Sequence, residues 1–172
     1  MSRRQNLLHR IGLVETIWGS AGTTPYLTRV HLTPRTKIGQ LCLHIFWRGD
    51  EDPDPHDHPF DFWTFPLCRD GYIELTPNKT GDLVAVQVSG WWLTRRKAEY
   101  AHLIVGRCVV KGRERFIAKG TLATLVWMGP RRREWGFWPR WIDAAALGLN
   151  ICGTFRGGRV HVPWDMYLLL RA

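Results

Sequence analysis

No apolar run in these 172 residues approaches the roughly 20 needed to span a bilayer, and the amino terminus lacks the apolar core of a signal peptide. The four cysteines, Cys42, Cys68, Cys108 and Cys152, are widely scattered, so there is no CxxC pair from which to build a zinc knuckle. Internal repeats and low-complexity segments are missing too. These absences lead us to expect a cytoplasmic protein of a reducing compartment, with buried free thiols and no membrane partner.

What is present suits one globular core. Hydrophobic residues at 45% and charged residues at 23% fall in the globular range, and a chain of this length supports one well-buried domain rather than two. Ten Trp, seven Phe and four Tyr are rings large enough to fill the space between two sheets, which favours a sandwich or barrel. A formal charge of +9 raises nucleic acid as a partner, because Lys and Arg gain affinity by releasing phosphate counterions. Its densest clusters, Arg95-Arg96-Lys97 and Arg131-Arg132-Arg133, adjoin predicted strand ends, where solvated charge is ordinary. Nucleic acid on a basic rim therefore ranks behind a small-molecule ligand.

Along the chain, RQNLLHRIGLVETIW (4–18) spaces Leu7, Leu8, Ile11, Val14, Ile17 and Trp18 as an amphipathic helix would, so residues 1–25 read as an N-terminal helix and lead-in. From Tyr26 to Trp138 the pattern becomes short β-rich runs, at 26–33, 40–47, 60–67, 71–76, 83–93, 101–106, 121–129 and 135–138. That rhythm indicates an antiparallel, all-β sandwich or barrel, with the jelly roll its natural member. CRDG (68–71) and PNKTGD (77–82) read as hairpin turns. Beyond Pro139 the rhythm is lost, and 139–172 reads as an irregular tail on the barrel, with a turn near Trp141 to Leu149. Trp91-Trp92 and WGFW (135–138) read as packing aromatics, and MGPRRREW as a charged edge that blocks strand aggregation.

The segment DEDPDPHDHPFDFWTF (50–65) carries the chemistry. His56 and His58 are two apart, so on an extended backbone both imidazoles face the same way and reach one cation. The flanking prolines limit the entropy lost in organising the pair.

Gly49, His56, His58 and Gly71 stand in the order of the first motif of the cupin superfamily, and the stretch Lys97 to His102 occupies the place of the second. The chain resembles that superfamily. More narrowly, LHIFWRGDEDPDPHDHPFDFWTF, GYIE, RRKAEYAHLI and MGPRRREWGFW resemble uncharacterised cupin-like proteins common in bacteriophages, over most of 26–142. The resemblance implies a double-stranded jelly-roll β-barrel, with His102 as third ligand to one divalent transition metal. The motif-one carboxylate is missing, since Phe62, Trp63 and Thr64 stand where it is expected, and Lys97 and Glu99 replace the Pro and Gly of motif two. Asp61 and Glu99 are then candidate ligands beside the three histidines, with Glu74 and His44 further alternatives. His44, inside the apolar run LCLHIFW, reads rather as a core histidine bonded to backbone.

Three neutral imidazoles with at most one carboxylate suit Fe, Zn, Mn or Ni. An open position on the ion admits either O2 with a chelating substrate, as in an oxygenase, or Lewis-acid polarisation, as in an isomerase or lyase. A 2-oxoglutarate enzyme fits less well, because His58 to Asp61 is one residue too long for its HxD pair. The rival class is a non-enzymatic binding module for a nucleotide, sugar, protein or nucleic acid, with a structural or vestigial metal. Pairing of the barrel through a sheet face or edge makes a homodimer the expected assembly. Far-ultraviolet circular dichroism is expected to show well under one-third helix, and more than that would contradict the all-β reading.

Overall fold

Residues that alternate between interior and surface build the chain's strands, and in a computed structural model, which describes residues 12–18, 24–118, 120–146 and 155–171, they curl into two antiparallel sheets. In chain order the strands are Val14–Trp18 (β1), Pro25–His31 (β2), Gln40–Phe46 (β3), Phe62–Pro66 (β4) and Tyr72–Pro77 (β5). Leu83–Val88 (β6), Thr94–Arg96 (β7), Leu103–Lys111 (β8), Glu114–Ala118 (β9) and Leu122–Met128 (β10) follow. One sheet has the order β1-β2-β3-β10-β4-β7 and the other β6-β5-β8-β9. The chain changes sheet after β4, β6, β7 and β9, and this repeated crossing makes the fold a jelly roll.

The period-two rule is strict in the centre of the larger sheet, where β3 and β10 bury every second residue. Between the sheets Leu27, Phe46 and Leu122 meet Tyr72, Val88 and Ile104 in one apolar cluster. Each such side chain contributes about 1.5–3 kcal/mol on burial. A second cluster of Cys42, Phe62, Val126 and Met128 lies on the inner face of the larger sheet. The β5–β8 pairing is bulged between Ile73 and Glu74, with Val105 the extra residue, and Glu74 and its partner Ile104 are both buried.

The tail contains Gly136–Phe137 (β11), Trp141–Ala146 (α1), Phe155–Arg156 (β12), Arg159–Val160 (β13), Val162–Pro163 (β14) and Trp164–Arg171 (α2). It has its own small core of Phe137, Ala144, Val160, Val162 and Tyr167. Among the described residues no helix is long and apolar enough to cross a membrane.

Three expectations are corrected. Val14–Trp18 is a strand rather than the end of a helix, because Val14, Thr16 and Ile17 are β-branched and pair with β2; Leu7, Leu8 and Ile11 lie outside the described residues. Residues 68–71 carry the chain from one sheet to the other and are not a hairpin turn, whereas 77–82 do close the β5–β6 hairpin. The tail is not wholly irregular, since α1, α2 and the β11–β14 pair give it regular structure.

Gly71, at the crossover, has φ +71°, and a Cβ there would lie 1.7 Å from the Val88 carbonyl oxygen. Gly71→Ala is expected to cost at least about 2 kcal/mol in urea unfolding, since both the backbone angle and the contact forbid the methyl. An unchanged midpoint would contradict this packing.

Candidate metal centre

Two backbone hydrogen bonds bring the halves of the site together. His56 N–H donates to the His102 carbonyl at 3.0 Å and His102 N–H donates back to His56 at 2.9 Å, an isolated antiparallel bridge. His58 N–H donates to the Ala98 carbonyl at 3.0 Å. Between them Asp57 N–H donates to Gly136 at 3.0 Å on the other side, so the extended chain turns His56 and His58 inward and Asp57 backward. The result is three imidazoles, each offering a nitrogen, with those nitrogens all within 4.8 Å of one another.

Protonation is set by Glu74, which is fully buried at the start of β5's inner face. Burial would raise its carboxyl, but the hydrogen bond and charge of His102, with Arg96 and Tyr100, outweigh that and hold it at about 2. An ionised carboxylate only accepts, so His102 Nδ1 carries the proton it shares with Glu74 at 2.9 Å. That leaves His102 Nε2 as the atom aimed at the cluster, and it lies 2.9 Å from His58 Nε2. Burial, then the neighbouring His102 and His56, push His58 well below its ordinary value, and burial lowers His56 despite Asp50. Both shifts favour neutral rings at His56 and His58, the form that binds a divalent ion. The donor set thus fits a borderline transition metal.

Asp57 is the second buried acid of the site. It accepts from Gly136 N–H at 2.9 Å, Trp138 Nε1 at 2.9 Å and Arg133 at 2.5 Å. With Trp138 N–H donating to Pro55, these bonds tie the tail behind the HxH segment.

Of the carboxylates expected as ligands, neither Asp61 nor Glu99 joins the converging set. Asp61 accepts from Ala98 N–H at 2.9 Å, Arg132 at 2.8 Å and Arg95 at 3.2 Å, which uses both its oxygens. Glu99 lies in the turn before His102, and its carbonyl accepts from Arg156 at 3.3 Å. Glu74 serves His102 rather than an ion. His44 is a buried, satisfied histidine, but its partner is a side chain and not backbone: Arg29 Nε–H donates to His44 Nε2 at 3.0 Å. Burial and the Arg29 charge push it down to about 3. Arg29, Asp57 and the Glu74 partnership were missed from the sequence; an acidic residue between the two histidines of the HxH pair was the one available signal.

The cluster opens into a cavity of about 1040 Å³ between the sheets. Near the histidines its wall is aromatic, with Phe62 4.5 Å from the His58 ring, Phe137 6.0 Å and Trp135 6.3 Å from His56. Of the expected packing aromatics, Trp138 is buried, Trp135 lines this cavity, and Trp91 and Trp92 are exposed at the surface.

No family model and no curated protein matches the chain. Several solved structures are similar to it in fold. A cupin-2 domain from Rhodospirillum rubrum shares 16% identity over 78% of this chain and 81% of its own, with a TM-score of 0.49. The capsular polysaccharide assembling protein CapF from Staphylococcus aureus shares 13% over 70% of this chain, TM-score 0.46, and Fe(II)-HppE shares 12% over 67%, TM-score 0.45. The chain spans 29% of the CapF chain and 55% of the HppE chain. The chemistry of the site rests on this chain's own side chains.

Alanine at His56, His58 or His102 is expected to reduce bound metal from about one equivalent to below a tenth, by elemental analysis, with circular dichroism unchanged. His44→Ala leaves Arg29 Nε unpaired and should cost about 1–3 kcal/mol while metal content is retained. Full metal in His102→Ala would remove the three-histidine assignment. The depressed His44 also fixes a pH effect. Its unfolded form takes up a proton below about pH 6.5 while the folded form stays neutral, so stability is complete above that pH and falls as pH drops towards 3. By pH 4 this group alone should cost about 3 kcal/mol, and in His44→Ala that part of the acid sensitivity should vanish from urea titrations.

Proposed function

We propose that the protein is a cupin-like, metal-dependent enzyme of oxygenase type, acting on a small molecule with an apolar body and a metal-chelating oxygen head. The observation that carries this is the aromatic wall immediately around three converging imidazoles that line a large cavity. The residues that would hold the ion are His56, His58 and His102. When bound, such an ion supplies Lewis acidity and, if redox-active, a site for O2.

The chain's own residues do the rest. Glu74 holds His102 in one tautomer and orientation, and Asp57 fixes the segment that bears His56 and His58. Phe62, Phe137 and Trp135 exclude water and offer faces to an apolar substrate. An isomerase would need a free acid–base pair within reach of the substrate. Asp50, an acid that lines the cavity, stands 4.0 Å from His56 Nδ1 and is already engaged by Tyr26 and by Ile104 N–H at 2.5 Å, and Glu74 is engaged by His102, Arg96 and Tyr100. The basic clusters are similarly committed: Arg131 to Glu134, Arg132 to Asp61, Arg133 to Asp57 and Arg96 to Glu74. This favours a small-molecule ligand over nucleic acid. The resemblance to phage cupin-like proteins belongs to the same proposal.

Protein loaded with Fe(II) or Mn(II) is expected to consume O2 when given a catechol or aromatic enol from a small panel, and to lose that uptake in His58→Ala. Retained metal without uptake, together with conversion of a sugar phosphate or keto acid without O2, would replace the oxygenase reading with the isomerase one. Salt-sensitive binding to a DNA or RNA duplex with no small-molecule turnover would favour the binding module.

A further inference from the structure

The inner face of the larger sheet is mostly apolar, but one row across four of its strands is polar. Strand register sets Glu15, Arg29, His44 and Thr124 side by side on β1, β2, β3 and β10, and all four line the cavity. Glu15, half exposed, accepts from Arg29 Nη1 at 2.9 Å, and Arg29 Nε–H donates to His44 Nε2 at 3.0 Å. A neutral imidazole whose Nε2 accepts carries its proton on Nδ1, and among the described residues that N–H has no acceptor. Arg29 Nη2 has none there either. Thr124 is 1% exposed, and its hydroxyl makes no hydrogen bond. A valine would fill the same space with no buried polar atom to satisfy, as Val126 does two residues along the strand. Three donors without acceptors thus share one wall of the cavity.

We infer, on the reading of this cavity as a substrate site, that the row is a carboxylate subsite: the small molecule whose oxygen head meets the histidine cluster carries a carboxylate that Arg29, His44 and Thr124 receive. Donor chemistry selects the class. A carboxylate only accepts, through two oxygens with about four lone-pair sites, and a guanidinium, an imidazole N–H and a hydroxyl match it. A cation or an apolar group would leave all three donors unpaired. Charge selects in the same direction. The β2–β3 connection brings Arg35 and Lys37 to the same cavity, both exposed and neither paired with an acid among the described residues, so this margin draws anions in. The other acids of the wall, Asp50, Glu51 and Asp52, come from the segment after β3, where Arg48 meets Glu51. Arg29 and His44 are among the groups whose charge acts on His58, so the row and the histidine cluster face one space.

The test compares a catechol bearing a propionate side chain with its primary amide, equal in size and alike in chelating head, by calorimetry on the full chain loaded with redox-inert Zn(II). The acid is expected to bind about ten- to a hundredfold more tightly, the worth of a hydrogen bond to a charged group. Arg29→Gln should abolish that preference. Thr124→Val should weaken it several-fold while the urea midpoint holds or rises, a combination that a merely structural hydroxyl does not give. Arg113→Gln, at the exposed turn between β8 and β9, should leave binding unchanged. Should Arg29→Gln fail to fold, Thr124→Val carries the test. Equal affinity for acid and amide, a preference undiminished in either folded variant, or no binding of either compound would overturn the inference. An acid preference in protein whose Fe(II) form consumes no O2 would uphold it while the oxygenase reading fails, and O2 uptake without the preference would do the reverse.

Discussion

The reciprocal pair of backbone hydrogen bonds between His56 and His102 is the constraint on which this molecule turns. It joins a loop that leaves the larger sheet to the entrance of β8 in the smaller one, and so fixes at one point the spacing of the two sheets and the positions of two of the three clustered histidines. Side-chain hydrogen bonds alone would not have done this, since long rotamers adjust, while a paired backbone does not. The Glu74 carboxylate then sets the proton on His102, and the β5–β8 bulge supplies the local geometry that keeps both Glu74 and Ile104 inside.

Burying Glu74, Asp57 and the histidines together looks costly for a small domain, because an unpaired charge in the interior is expensive. The structure offsets the cost by giving each acid several donors. Glu74 has Arg96, Tyr100 and His102, and Asp57 has Arg133, Trp138 and Gly136 N–H. Four arginines of the two basic clusters, Arg95, Arg96, Arg132 and Arg133, are engaged by Asp61, Glu74 and Asp57, while the excess of 24 Lys and Arg over 15 acids leaves the net charge of +9 elsewhere on the chain.

The long central strands were legible as short apolar runs, LCLHIF in β3 and LATLVWM in β10, bounded by turn residues. The pairing of His56 with His58 was legible as a period of two. Strands β7 and β9 were not. Thr94–Arg96 is three residues of mostly charge, and Glu114–Ala118 is an exposed edge strand whose apolar and charged residues follow no inward pattern. Val14–Trp18 was misread because its apolar residues, taken with Leu7, Leu8 and Ile11, also satisfy helical spacing, and only pairing with β2 decides between the two. The roles of Asp61 and Glu74 depended on which arginine or histidine each meets from more than 20 residues away, and no local pattern records that.

Because Asp57 faces the tail while its neighbours face the cavity, the loop from Pro55 to His58 has no freedom in its length. Adding or deleting a single residue there would send a carboxylate into the cavity and an imidazole against Trp138, reversing both sides at once. Growth and shrinkage of this chain must therefore happen elsewhere. The hairpin at Gly81 is closed to it as well, being packed against Gly157. The turn at Gly112 and Arg113, between two exposed strand ends with open space around it, is where a foreign loop, a label or a tether could be spliced in without the histidine cluster registering the change.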